Sequence, residues 1–157
     1  MNFDLSVIPN KNIILGVTGG IAAYKSAILV RRLKDAGFNV RVVMTEGAQA
    51  FITPLTFQAL SGNPVHTQLL DPEAEAGMGH IELARWADLL LVAPASCDTL
   101  AKFAAGLADD LLSTLYLATK APVWVAPAMN QQMWAAKATQ RNLNTLVEDG
   151  VHVILPD

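Results

Sequence analysis

The side chains best suited to ligand chemistry in this sequence lie in Pro127-Ala128-Met129-Asn130-Gln131-Gln132-Met133-Trp134. Asn130 carries two donors and one acceptor, a set that suits a planar polar group. Met129 and Met133 can shape an apolar wall around a flat ligand. A structural reading fits the same residues, with Asn130 capping the helix that follows and the methionines filling core. The segment comes after Pro122-Val123-Trp124-Val125-Ala126, which reads as a buried strand. The turn therefore falls at the carboxyl end of a strand, the edge at which open α/β sheets bind ligands.

Three further segments carry candidate groups. In Gly16-Val17-Thr18-Gly19-Gly20-Ile21-Ala22, adjacent glycines between strand and helix permit close backbone approach, and a helix amino end favours an anion. Thr18 adds a hydroxyl, and Thr45 after the next strand could donate to a phosphate, while Glu46 stands where a dinucleotide enzyme would hold a ribose. The turn is neither a Walker loop nor a full G-x-G-x-x-G. In Ala93-Pro94-Ala95-Ser96-Cys97-Asp98-Thr99, the side chains of Ser96, Asp98 and Thr99 could bond a heterocycle edge or a phosphate, or Ser96 or Asp98 could cap a helix. Cys97 is a weak nucleophile, because no charged base stands beside it. His80 enters a helix after a glycine-rich stretch; a lone histidine is more often structural than catalytic. His66 and His152 read as loop and strand residues. No histidine or cysteine pair has metal-ligand spacing, and Gly-x-Ser-x-Gly is absent.

These segments need a scaffold. Apolar runs predict strands at 12–18, 40–44, 87–93, 123–126 and 151–155. Helical rhythm predicts helices at 21–36, 45–51, 54–60, 80–86, 97–105, 110–118 and 139–148, with a long irregular connection over 61–79. Alternating helices and continuously apolar strands predict an α/β doubly wound fold, a Rossmann-like or flavodoxin-like three-layer sandwich with a parallel sheet.

The 157 residues suffice for one domain. Hydrophobic residues make up 52% and charged ones 16%, with mean hydropathy +0.34, so part of the surface is expected to be buried against a partner or other copies. A net charge of −3 gives no basic footprint for nucleic acid. No apolar run matches a membrane span and no signal peptide is visible. Cys97 is the only cysteine, which fits a reducing cytoplasm. The last residues, Pro156-Asp157, directly follow a strand, and the expectation is a longer polypeptide with one wall of the site still to come.

Read in order, Gly19-Gly20-Ile21-Ala22-Ala23-Tyr24-Lys25, His80-Ile81-Glu82-Leu83 with Trp86-Ala87-Asp88, Ala93-Pro94-Ala95-Ser96, Gly106-Leu107-Ala108-Asp109-Asp110-Leu111-Leu112, and Pro127-Ala128-Met129-Asn130 with Met133-Trp134 resemble the homo-oligomeric flavin-containing cysteine decarboxylases. The likeness is strongest to the phosphopantothenoylcysteine decarboxylases of coenzyme A biosynthesis and covers almost the whole chain. It implies one FMN-binding decarboxylase domain over 1–157, with phosphate on Gly19, Gly20, Ile21 and Thr45, and the ring near Ser96, Cys97, Asp98, Thr99 and Ala128. His80 would be the catalytic base, and Asn130 would hold the substrate carboxylate beside Met133. It implies no metal, and a homotrimer or a dodecamer of trimers with FMN between subunits. The chemistry implied is flavin oxidation of the cysteinyl side chain, which opens decarboxylation of 4'-phosphopantothenoylcysteine to 4'-phosphopantetheine. The family carries a further loop with a late-acting cysteine, which Cys97 does not replace, and often a second domain. Three rivals remain: a non-catalytic FMN-binding regulatory subunit, a flavin prenyltransferase, and an NAD module.

Overall fold

The fold is described from a computed structural model, over residues 4–7, 12–69 and 78–155. After a short 3-10 turn at Leu5–Val7, the chain runs β1 (Asn12–Val17), α1 (Ala23–Asp35), β2 (Asn39–Met44), a 3-10 turn (Gly47–Ala50) and α2 (Pro54–Ser61). It continues with α3 (His80–Trp86), β3 (Leu89–Ala95), α4 (Cys97–Ala105), α5 (Leu111–Ala118), β4 (Val123–Pro127), α6 (Gln131–Ala135), α7 (Lys137–Glu148) and β5 (His152–Val153). The strands form one five-stranded parallel sheet in the order β2-β1-β3-β4-β5. Chain direction across the sheet reverses between β1 and β3, so their carboxyl ends flank the crevice typical of doubly wound folds. The α/β expectation therefore holds.

Successive strand residues face opposite layers. Ile13, Leu15, Val17, Leu89, Leu91 and Ala93 pack with Leu29, Val30 and Leu33 of α1 and Phe57 of α2. Ile14, Leu90, Val92 and Val125 pack with Leu83, Leu100, Leu112, Leu115, Leu143 and Leu146 from α3, α4, α5 and α7. Both faces are apolar, which is why the strand sequences run continuously hydrophobic rather than alternating. Gly16 leaves room for α5: a Cβ there would stand 2.8 Å from a Leu112 methyl.

The outer edge of β2 is covered. His66 forms a parallel bridge with Val43, its amide donating to Val42 O, and Asn63 Nδ2 donates to Val40 O at 2.9 Å. His66 is buried and belongs to this cover, where the sequence suggested an ordinary loop residue. The rest of the expected irregular connection, 70–77, lies outside the described residues. Several boundaries also differ from expectation: the helix expected at 45–51 is only the 3-10 turn Gly47–Ala50, β3 lies two residues later than the run at 87–93, and α7 starts two residues before 139. Residues 21–22 stay in the turn before α1, and β5 keeps only His152–Val153, since Trp124 and Val125 are the only β4 residues in register with it.

Candidate functional site

Two clefts open at the carboxyl edge of the sheet and meet at the Gly19-Gly20 turn. The larger, about 1070 Å³, takes in Gly19, Thr45, Ser96, Asp98 and Thr99. The smaller, about 630 Å³, takes in Gly20, Ile21, Ala128, Met129 and Asn130. These ten residues, all named from sequence, thus line one opening or the other, although they come from four separate strand ends.

The turn between β1 and α1 is built for close approach. A Cβ on Gly19 would stand 3.2 Å from the backbone carbon of Gly47, so only glycine lets the β1 and β2 loops touch without displacement. Gly20 has φ +150°, a conformation that favours glycine, and a Cβ there would meet nothing. Among the described residues, the amides of Gly19, Gly20, Ile21 and Ala22 donate to no protein acceptor. Free amides before the first turn of a 13-residue helix suit an anion. Thr45 stands across the same cleft; its Oγ1 accepts from the Ala48 amide at 3.3 Å, which leaves the hydroxyl proton to donate.

The hydroxyl of Thr18 does not take part, contrary to the sequence reading. Thr18 is fully buried; its Oγ1 donates to Pro94 O at 2.7 Å and accepts from the Ser96 amide at 2.8 Å. That bridge ties the ends of β1 and β3. Ser26 adds a second tie, donating to Ala93 O at 2.6 Å. Ser96 caps α4, its Oγ accepting from the Thr99 amide at 3.2 Å while donating to Thr99 Oγ1 at 3.1 Å. Of the two caps proposed from sequence, Ser96 is the one formed; the Asp98 carboxylate is exposed.

Asn130 also caps a helix. Its Oδ1 accepts from the Met133 amide at 2.9 Å, opening α6. Among the described residues Nδ2 has no partner, so the cap uses the oxygen and leaves both donors unused on a residue that lines the smaller cleft. Met133 is exposed and lines neither cleft. Cys97 also lies outside both linings, with Sγ 3.4 Å from Thr139 Oγ1. His80 opens α3 and lines neither cleft.

Sequence inspection passed over Lys102. Its Nζ lies 3.7 Å from Asp98, 3.3 Å from Asp109 and 3.5 Å from Asp110, all of which line the larger cleft. The i, i+4 spacing of Asp98 and Lys102 was the available signal. Burial opposes the charge on Lys102, yet Asp110, Asp109 and Asp98 together hold its pKa above the usual lysine value. Burial likewise opposes charge on Asp110, but hydrogen bonds from Ser113 and the Lys102 ammonium hold that carboxyl below its ordinary range. Asp110 and Ser113 form the capping box of α5. No group of three or more metal-ligating side chains occurs among the described residues, and no helix is long and apolar enough to cross a membrane.

Comparison with known proteins agrees with this geometry. The flavoprotein family model matches residues 5–157. The chain is 61% identical over 150 residues to the coenzyme A biosynthesis bifunctional protein CoaBC of Escherichia coli K12, covering 96% of this chain and 37% of that protein. It is 47% identical to CoaBC of Bacillus subtilis, again over 96% of this chain and 37% of the relative. The chain thus spans little more than a third of these relatives. Among solved structures, the FMN-dependent cysteine decarboxylase SpaF superposes with a TM-score of 0.86 at 35% identity, covering 96% of this chain and 87% of that one. A PPC decarboxylase mutant complexed with pantothenoylaminoethenethiol gives 0.78 at 34% identity, covering 94% and 83%. A match from residue 5 to residue 157, on a fold whose strand ends present free amides to a pair of joined clefts, means that the chain belongs to the flavoprotein family.

Proposed function

We propose that this chain binds FMN and decarboxylates 4'-phosphopantothenoylcysteine, supplying 4'-phosphopantetheine to coenzyme A biosynthesis. The observation that carries the reading is the pairing of the two clefts. Gly19 and Thr45 bring an unused amide and a hydroxyl to the larger cleft, while Gly20, Ile21 and Ala22 bring unused amides, and Asn130 an unused carboxamide NH2, to the smaller. A phosphate and a carboxylate are the groups those donors suit. The residues fit FMN on the same grounds, since Gly20 leaves bare the space a side chain would fill and Gly19 lets the β1 and β2 loops close together beside the cleft.

Gly19, Gly20, Ile21 and Thr45 are assigned to the phosphate, and Ser96, Cys97, Asp98, Thr99 and Ala128 to the walls around the ring. When bound, FMN would take two electrons from the cysteinyl side chain, so that the pair left by carbon dioxide enters a C=S group, and would return the same two electrons to the resulting enethiol to give the saturated thiol. Asn130 orients the substrate carboxylate through Nδ2, its position set by the cap on α6. His80 is the base that takes a proton from the substrate, and Met133 packs beside it. His80, Cys97 and Met133 lie outside both clefts of the single chain, so the reading places the complete site between copies, in a homotrimer or a dodecamer of trimers. The setting is the cytoplasm, in keeping with a single cysteine.

The test is direct. Titration with FMN should give a flavin-absorbing complex, and mass spectrometry should show loss of carbon dioxide from phosphopantothenoylcysteine. His80→Asn should abolish carbon dioxide release while FMN stays bound. Protein that never acquires flavin absorbance refutes the proposal; FMN binding without decarboxylation leaves a binding subunit instead.

A further inference from the structure

We infer that Lys102 is a positioning residue for the cofactor: its ammonium sets the charge of the larger cleft and fixes the wall formed by the start of α5. The inference rests on the FMN reading above. Among the described residues, four carboxylates line this cleft, from Glu46, Asp98, Asp109 and Asp110, and Lys102 is the only cation in its lining. Three of the four lie within 3.3–3.7 Å of Nζ. Without Lys102 those three like charges would lie close together with no counter-charge between them, Asp110 the least exposed of the three.

The contact has a mechanical side. Asp98 belongs to the first turn of α4, and Asp110 is the cap of α5. Lys102 therefore joins the beginnings of two helices at the cleft. Leu111 and Leu112 follow at once and line it, and Leu112 is held against Gly16 of β1. The side chain of Lys102 is only 22% exposed, less than any of its three partners.

An anionic phosphate and a flavin that gains negative charge on reduction both respond to this balance. Lys102→Gln should weaken FMN binding several-fold and lower the flavin reduction potential. Asp109→Asn removes a neighbouring negative charge from an exposed, non-capping position, and should move both quantities the other way. Lys102→Arg should restore both, and Lys120→Gln, the same loss of charge at an exposed residue away from both clefts, should change neither. A lysine that merely stiffened the fold would shift melting temperature without this reversal of sign. Equal FMN affinity and potential in Lys102→Gln, or shifts of the same sign in Lys102→Gln and Asp109→Asn, overturn the inference alone. Failure of the unsubstituted chain to bind FMN overturns it together with the proposed function.

Discussion

At the scale of single residues, Asn130 shows how one side chain serves structure and ligand at once. Its oxygen caps α6 and its nitrogen is left over. Aspartate caps a helix about as well as asparagine but has no donors. Asn130→Asp should therefore keep thermal stability close to the original while losing substrate binding, through both the missing NH2 and the added like charge. Asn130→Ala should lose binding and also about 1 kcal/mol of stability. Calorimetric melting of both variants beside substrate titration separates the roles; equal affinity in Asn130→Asp leaves only the cap. Asp110 makes a second prediction. Its pKa is depressed in the fold, so it stabilises above the unfolded value of 3.8, and that contribution is lost as the pH falls through the lower folded value. Asp110→Asn retains a capping oxygen but cannot titrate. Urea unfolding at about pH 3 and about pH 6 should show a smaller acid loss in the variant than in the original.

Among the elements, the joint between β1 and β3 does most to position the site. Thr18 satisfies a carbonyl of one strand and an amide at the end of the other, in a fully buried place. Thr18→Val keeps the shape and orphans the Ser96 amide, at a cost of about 1–3 kcal/mol, read as a lower urea midpoint. The loss should extend to FMN affinity, because Ser96 carries the cap of α4. Much of this scale was legible in the sequence. Continuous apolar runs gave four strands within two residues of their ends, and the segments flanking them gave the cleft residues, because strand ends converge at one edge whatever the side chains. What could not be read was partner choice. Thr18 in a Gly-rich turn looks the same whether its hydroxyl faces a ligand or a carbonyl 76 residues away. Lys102 was hidden for the same reason: only Asp98 is its neighbour by helix spacing, and Asp109 and Asp110 reach it through the fold of the α4–α5 turn. The division into two clefts was equally invisible, since adjacent residues Gly19 and Gly20 face different ones.

For the whole molecule, the unsettled balance is between core and surface. Ile21, Tyr24 and Ile28 are 79%, 55% and 51% exposed, and their spacing sets them along one side of α1 and its leading turn. Ile21 and Tyr24 also line the smaller cleft, so a second copy seated there would wall it. Ile28→Glu should shift the mass measured by light scattering toward a monomer and reduce retained flavin, while the folded spectrum persists. An unchanged mass argues against this face as the contact. The two margins of the sheet differ in a way that reaches beyond the reaction. Asn63 and His66 occupy hydrogen-bonding groups along β2, whereas β5 is a two-residue strand whose partner among the described residues is β4. Among the described residues, growth by strand addition is thus blocked along β2 and finds room alongside His152 and Val153, which makes that flank the one to watch in grafting or fusion.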